Sequence, residues 1–286
     1  MAQTSNKTQS SLRQTIEFVV LLSIVCIVRI FIIGFYQVPT GSMETTMLVG
    51  ERFLADKLSY FFRAPQQGEI VALIDPTYTM SSNKVMEAFE RYVWGPQNWT
   101  KRIIAVPGNH VRGVIEDGKP VVYVNDKKLD EPYLNKYPLI ETKGPNGRCV
   151  PRSFDPAFSY AQQPFYHINE NAVIKDAAGS ACLVYPHDFQ ASTTNIMLRG
   201  NRFWDGSDEF SVQLAPDEYW LMGDNRRGSS DSRVFGPVKQ KNIFARMTYC
   251  IFSVDSNNGW LVLDFLQNPI AFIRNMRTNR FIKKLA

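Results

Sequence analysis

Glu69-Ile70-Val71-Ala72-Leu73-Ile74, entered from Gly68, is a short apolar run of strand length. The same pattern returns along the chain. Val121 to Val124 (Val-Val-Tyr-Val) follows Asp117-Gly118, a strong hairpin pair, and Asn125-Asp126 turns the chain again before Leu129. Glu218-Tyr219-Trp220-Leu221-Met222 stops at Gly223, and Ile243 to Val254 alternates over two strand lengths. Only Lys84 to Trp94 has a helical pattern. Many short strands, tight turns and little helix predict a mainly β chain, with an all-β domain as its body. Pro and polar residues crowd Tyr133 to Pro164, so a loop-rich inserted subdomain, about residues 112–215, is expected between two core strands.

Composition narrows the function classes. The 286 residues suffice for one large domain or two modest ones, and 21% charged with 13% aromatic residues is an ordinary globular balance. A net charge of +5 without a Lys/Arg run argues against a nucleic-acid partner. Three histidines, none at His-x-x-x-His spacing, argue against a zinc site, and no other metal or cofactor is expected. Cys26 lies in the apolar N-terminal stretch. Cys149, Cys182 and Cys250 are widely spaced, so they are either three inert thiols or one pair, Cys149 with Cys182, plus one thiol.

The N-terminus speaks about location. Ile16 to Tyr36 is a 21-residue apolar stretch, as a helix about 32 Å long, against a bilayer core of roughly 30 Å. Arg29 is its flaw, costing about 2–3 kcal/mol unless it snorkels or pairs. A cleavable signal peptide is the alternative, but no Ala-x-Ala-like site follows, and an uncleaved anchor is the better reading. Lys7 and Arg13 precede the span, whereas Arg52 beyond it is set against Glu44 and Glu51. The positive-inside bias then makes residues 1–15 a cytoplasmic tail and residues 37–286 extracytoplasmic. Trp260 to Ile273 is interrupted by Asp264, Asn268 and Pro269, which suits a packed or surface-lying segment. The basic tail after it reads as a solvated helix face, with contact to anionic lipid as the alternative.

Three segments carry chemistry. Pro39-Thr40-Gly41-Ser42-Met43 places a serine on a tight turn six residues past the span. Lys101-Arg102-Ile103-Ile104-Ala105-Val106-Pro107-Gly108 is a strand that opens with Lys and can point it into a cleft. Gly223 to Arg233 packs three serines, two Asp and three Arg directly after an apolar strand. Alone, the first is a turn and the second an exposed lysine. In this order behind an anchor, the three resemble type I signal peptidase (leader peptidase), the bacterial membrane serine protease with a Ser–Lys dyad. Leu48-Val49-Gly50-Glu51, Gly68-Glu69-Ile70-Val71 and Leu129-Asp130-Glu131-Pro132-Tyr133 are further echoes.

The resemblance implies a signal-peptidase-like catalytic domain, Ser42 as nucleophile and Lys101 as general base. It implies that Thr40 completes the oxyanion hole beside the Ser42 N–H, and that Ser229 hydrogen-bonds and orients the lysine. Asp224, Arg102, Asp231 and Arg233 match charged positions that hold the active-site loop. Implied partners are preprotein signal peptides with small residues at positions −1 and −3, and the lipid bilayer; the implied location is the bacterial inner membrane. The residue types suit the chemistry. No histidine lies near any motif, and a lysine serves as base only if burial brings it from about 10.4 to about 8, roughly 3 kcal/mol of bias against the ammonium. Departures exist: Glu44-Thr45-Thr46 follows Met43 where the family has x-Pro-Thr, Ala105 replaces Gly and Asn109 replaces Asp. Glu51 and Glu69 stand where Asp is common, and Arg227-Gly228 replaces Asp-Asn. Two rivals follow: a catalytically inactive relative that binds preproteins or membrane partners, and a soluble Ser–Lys autoprotease, which the anchor argues against.

Overall fold

The computed structural model describes residues 2–134 save 45, 49, 94, 117 and 118. It further describes strand segments at 140–143, 149–152, 173–175, 181–183 and 196–198, by backbone alone, and residues 208–285 save 227, 228 and 255–260. Helix α1 (Ala2–Ile27) runs on through a π turn (Val28–Ile32), and Arg13–Ile32 is long and apolar enough to cross a membrane, with none of its residues buried. The helix ends at Ile32, not at the expected Tyr36. Strand β1 (Ile33–Gln37) takes over and pairs with β2 (Arg52–Asp56), from Ile33 opposite Asp56 to Gln37 opposite Arg52. Gly34 favours the switch: the Tyr36 ring folds over it, and a β-carbon there would lie 2.4 Å from that ring.

After α2 (Ser59–Phe62) come β3 (Ile70–Ile74), α3 (Lys84–Tyr92) and β4 (Asn98–Ala105), then β5 (His110–Glu116), β6 (Lys119–Val124) and β7 (Lys127–Lys128). Strands β8 (Ile140–Lys143), β9 (Cys149–Arg152), β10 (Val173–Lys175), β11 (Ala181–Leu183) and β12 (Ile196–Leu198) form a sheet of their own, in the order β10-β11-β12-β8-β9. The chain then returns through β13 (Phe210–Gln213), β14 (Glu218–Met222), α4 (Ser232–Phe235), β15 (Val238–Lys239) and β16 (Ile243–Phe252). It ends in α5 (Leu261–Gln267), α6 (Pro269–Arg274) and β17 (Lys283–Lys284). The main sheet is antiparallel, in the order β1-β2-β16-β3-β4-β14-β15, with β17 on β16. The fold is mainly β, as expected.

Burial explains why β3 lacks polar alternation. It pairs on both edges, and its two faces serve different clusters: Ile70 and Ala72 pack with Val38, Met43, Met47 and Phe53, while Val71 and Leu73 pack with Ile103, Tyr219 and Leu221. A third cluster joins Val111, Val122 and Val124 to Ile104, Trp220 and Met222. It ties the sheet β13-β5-β6-β7 to the main one, so the expected insertion boundary near residue 112 falls inside β5. Asn125 and Asp126 take positive φ, 49° and 60°, as the expected turn requires. The expected turn at 117–118 lies outside the described residues, as do the side chains of Cys149 and Cys182.

Helices beyond the expected one are short: α2, α4, α5 and α6 have four to seven residues. Helix α3 presents Val85, Met86, Phe89 and Tyr92 outward, and the Tyr92 ring lies 5.8 Å from Phe31 at the end of the membrane-length helix. The basic tail is exposed at Arg274, Lys283 and Lys284, as expected of a solvated segment, but not at Arg277 and Arg280. Arg277 donates to the Val254 carbonyl at 2.7 Å, and Arg280 reaches the Thr46 carbonyl at 2.8 Å and pairs with buried Glu51.

Candidate active site

The loop between β1 and β2 carries Ser42. Its neck closes with Val38 N–H on the Glu51 carbonyl (3.0 Å) and Gly50 N–H on the Val38 carbonyl (3.1 Å), with Gly50 at φ +86°. Extended Thr40 leads into a 3₁₀ turn, Gly41–Met43, and buried Met43 and Met47 pin the loop into the core. The loop after β14 fixes this turn from the other side. Asn225 donates its N–H to the Ser42 carbonyl (3.1 Å) and its Nδ2 to the Gly41 carbonyl (2.9 Å).

Lys101 comes from β4, opposite Val71 of β3, where the strand passes from exposed to buried. It is only 4% exposed, and its Nζ donates to Ser42 Oγ at 3.1 Å and to the Thr100 carbonyl at 3.1 Å. The Trp99 ring lies 5.4 Å from the same nitrogen. Burial lowers the lysine to about 8; Asp231 and Asp224 push back, while Arg233 adds to the lowering. At pH 7 about a tenth of the lysine is then neutral.

The charged positions form two buried pairs. Arg102 closes on Asp224 through Nε and Nη2 at 2.8 and 2.7 Å, and its Nη1 donates to the Gly68 carbonyl at 2.8 Å. Tyr133 stacks on that guanidinium at 3.9 Å. Arg233 donates to Asp231 at 2.8 Å, to Asp208 at 2.6 Å and to the Arg226 carbonyl at 2.6 Å. Burial pushes the Asp231 carboxyl up, but Arg233, the Gly223 N–H and Ser229 outweigh it and hold the group below its usual value. So the four charged residues singled out in the sequence do converge on the loop beneath the Ser42 turn.

Thr40 stands directly before that turn with its side chain exposed and engaged in no capping bond. Ser229 is buried against Gly223, close enough to Asp231 to favour its ionised form. Among the described residues the lysine's hydrogen bonds go to Ser42 and Thr100, so the expected Ser229–Lys101 bond is not one of them. Four residues near this network had been given no role. Asn225, Glu131 and Tyr133 lay inside quoted motifs, and Glu131 pairs with Arg226. Asp208 sits in a polar stretch with nothing local to mark it.

The family described as signal peptidase, peptidase S26, matches residues 12–252, a span that holds every one of these residues. The chain belongs to that family. It is therefore a serine peptidase of the signal peptidase type. Among similar proteins, signal peptidase I of Rickettsia massiliae (strain Mtu5) is 26% identical over 315 aligned residues, covering 98% of this chain and 96% of the relative. Signal peptidase I of Rickettsia bellii (strain OSU 85-389) is 27% identical over 315 residues, covering 98% and 88%. A crystal structure of a signal peptidase I from Enterococcus faecalis V583 is 20% identical, covers 65% of this chain and 98% of its own, and superposes with a TM-score of 0.30.

Proposed function

We propose that this chain is a signal peptidase I that removes N-terminal signal peptides from exported preproteins with Ser42 as nucleophile and Lys101 as general base. The observation that carries the reading is the 3.1 Å approach of buried Lys101 Nζ to Ser42 Oγ. Neutral Lys101 takes the hydroxyl proton as Oγ attacks the scissile carbonyl carbon. The oxyanion receives hydrogen bonds from the Ser42 N–H and the Thr40 hydroxyl. Collapse breaks the C–N bond, the lysine ammonium returns its proton to the leaving amine, and the mature protein departs. Lys101 then takes a proton from water as its oxygen attacks the Ser42 ester carbon, the C–Oγ bond breaks, Lys101 returns the proton to Ser42 Oγ, and the signal peptide leaves with a free carboxylate. The Arg102–Asp224 and Arg233–Asp231 pairs keep the loop with Asn225 against the nucleophile turn. The small-residue preference at −1 and −3 is assigned to apolar surface near Met43 and Ile70 to Ala72; Met43, Ile70 and Ala72 are themselves buried in one core cluster. Incubation of the purified full chain with a preprotein, the new N-terminus read by mass spectrometry, tests this; an uncut preprotein would sink it.

The same reading puts the N-terminus in the cytoplasm and the β domain outside the bacterial inner membrane, because Lys7 and Arg13 precede the span. The outward apolar face of α3, beside Phe31, suits a domain that rests on the bilayer. A tag after Ala286 should be reachable by external protease in spheroplasts, and one at Met1 should not. A protected C-terminal tag would overturn the orientation.

A further inference from the structure

Residues 253–286 lie beyond the stretch matched by the family, yet Arg280 within them reaches the loop that bears Ser42. The point of contact is Glu51. Its carboxylate is fully buried, and it closes the loop that bears Ser42: Oε2 accepts the Leu48 N–H at 2.8 Å, and its carbonyl accepts the Val38 N–H at 3.0 Å. A carboxylate so buried needs a counter-charge. Arg280 supplies it, with both Nε and Nη2 on the carboxylate, the latter at 3.0 Å, while Ser253 Oγ donates to Oε1 at 3.0 Å.

Arg280 also touches the loop directly. Its Nη2 donates to the Thr46 carbonyl at 2.8 Å, and the Thr46 hydroxyl donates to Asp224 Oδ2 at 2.5 Å. Asp224 in turn holds Arg102, the neighbour of Lys101, and is followed by Asn225, which holds the Ser42 and Gly41 carbonyls. One guanidinium thus sits at the start of a hydrogen-bonded path to both members of the dyad. The guanidinium is itself fixed from behind. Phe281 packs on Phe252 with ring centres 5.0 Å apart, Arg277 N–H bonds the Ser253 carbonyl at 3.0 Å, and β17 pairs with β16.

We propose that Arg280 is a positioning residue for the Ser42–Lys101 pair, and that the C-terminal segment is a strap holding the nucleophile loop in register. The proposal rests on the dyad reading given above. It follows that loosening the strap lets water reach Lys101 and moves the base upward.

The test uses the full chain in detergent micelles with a signal-sequence peptide, comparing wild type, Arg280→Gln, Arg280→Lys and Ser42→Ala. Arg280→Gln should lower kcat about 10- to 100-fold and shift the midpoint of the kcat/KM pH profile upward by about half a unit or more. Arg280→Lys keeps the charge but loses the fork, and should fall between the two. It carries the test if the Gln variant does not fold. A lowered melting temperature with unchanged kcat and pH midpoint, measured well below melting, would show mere structural support and overturn the strap. Cleavage persisting in Ser42→Ala would instead overturn the dyad reading, and the strap with it.

Discussion

The Ser42 carbonyl oxygen and the Gly223 α-carbon are packed so closely that a β-carbon on Gly223 would stand 2.4 Å from that oxygen and 2.3 Å from Ser229 Oγ. The same oxygen accepts the Asn225 N–H at 3.1 Å. The nucleophile turn is therefore laid directly onto the loop that follows β14, with no side chain between them.

Gly223→Ala follows from this approach. One added methyl meets backbone, so the Ser42 turn or the loop must move. A displacement of this kind can cost about 10²-fold in rate. Steady-state cleavage should fall by about that factor, with the melting temperature lowered; unchanged turnover would mean that the two segments tolerate separation.

Thr40 gives a narrower test. If its hydroxyl donates to the oxyanion, Thr40→Val should lower kcat by about 10²–10³ with little change in KM. Thr40→Ser should be nearly silent. Wild-type turnover in the Val variant would remove Thr40 from the mechanism.

Burial of Lys101 has a consequence for stability. Its folded value of about 8 lies below the 10.5 of a free lysine, so between those values the unfolded chain binds more protons than the folded one. Below about pH 8 the lysine costs folding about 3 kcal/mol, and the cost disappears as pH rises toward 10.5. Folded Lys101→Met should therefore be more stable than wild type at pH 6.5, by up to that amount, and should lose most of the advantage by pH 10. Urea midpoints at the two pH values measure this. An equal difference at both would mean that the lysine is not desolvated.

Much of the site was legible because it is carried by short, dense motifs. The Gly223 to Arg233 stretch announces a charged loop, and Glu69 to Ile74 announces a short strand. The helix end was not legible. Ile30 to Tyr36 has no charged residue across the change from helix to strand, so hydropathy has no boundary to report there, and the pairing with β2 decides it. The Glu51–Arg280 pair was hidden for another reason. Its members are 229 residues apart, and an ion pair leaves no periodic trace in sequence. Asp208, 25 residues before its partner Arg233, leaves no trace on the same ground.

On the proposed mechanism Lys101, not a histidine, takes the Ser42 proton. A guanidinium keeps its charge at any working pH, so Lys101→Arg preserves a cation beside Asp231 and Asp224 and removes only the ability to act as base. The decisive measurement is cleavage of a signal-sequence peptide by the folded Lys101→Arg protein across pH 6 to 10, with wild type alongside. Wild-type kcat/KM should rise through about 8, and the Arg variant should stay at the background of Ser42→Ala at every pH. Substantial cleavage by the Arg variant, or a wild-type profile rising near 6.5, would contradict the assignment.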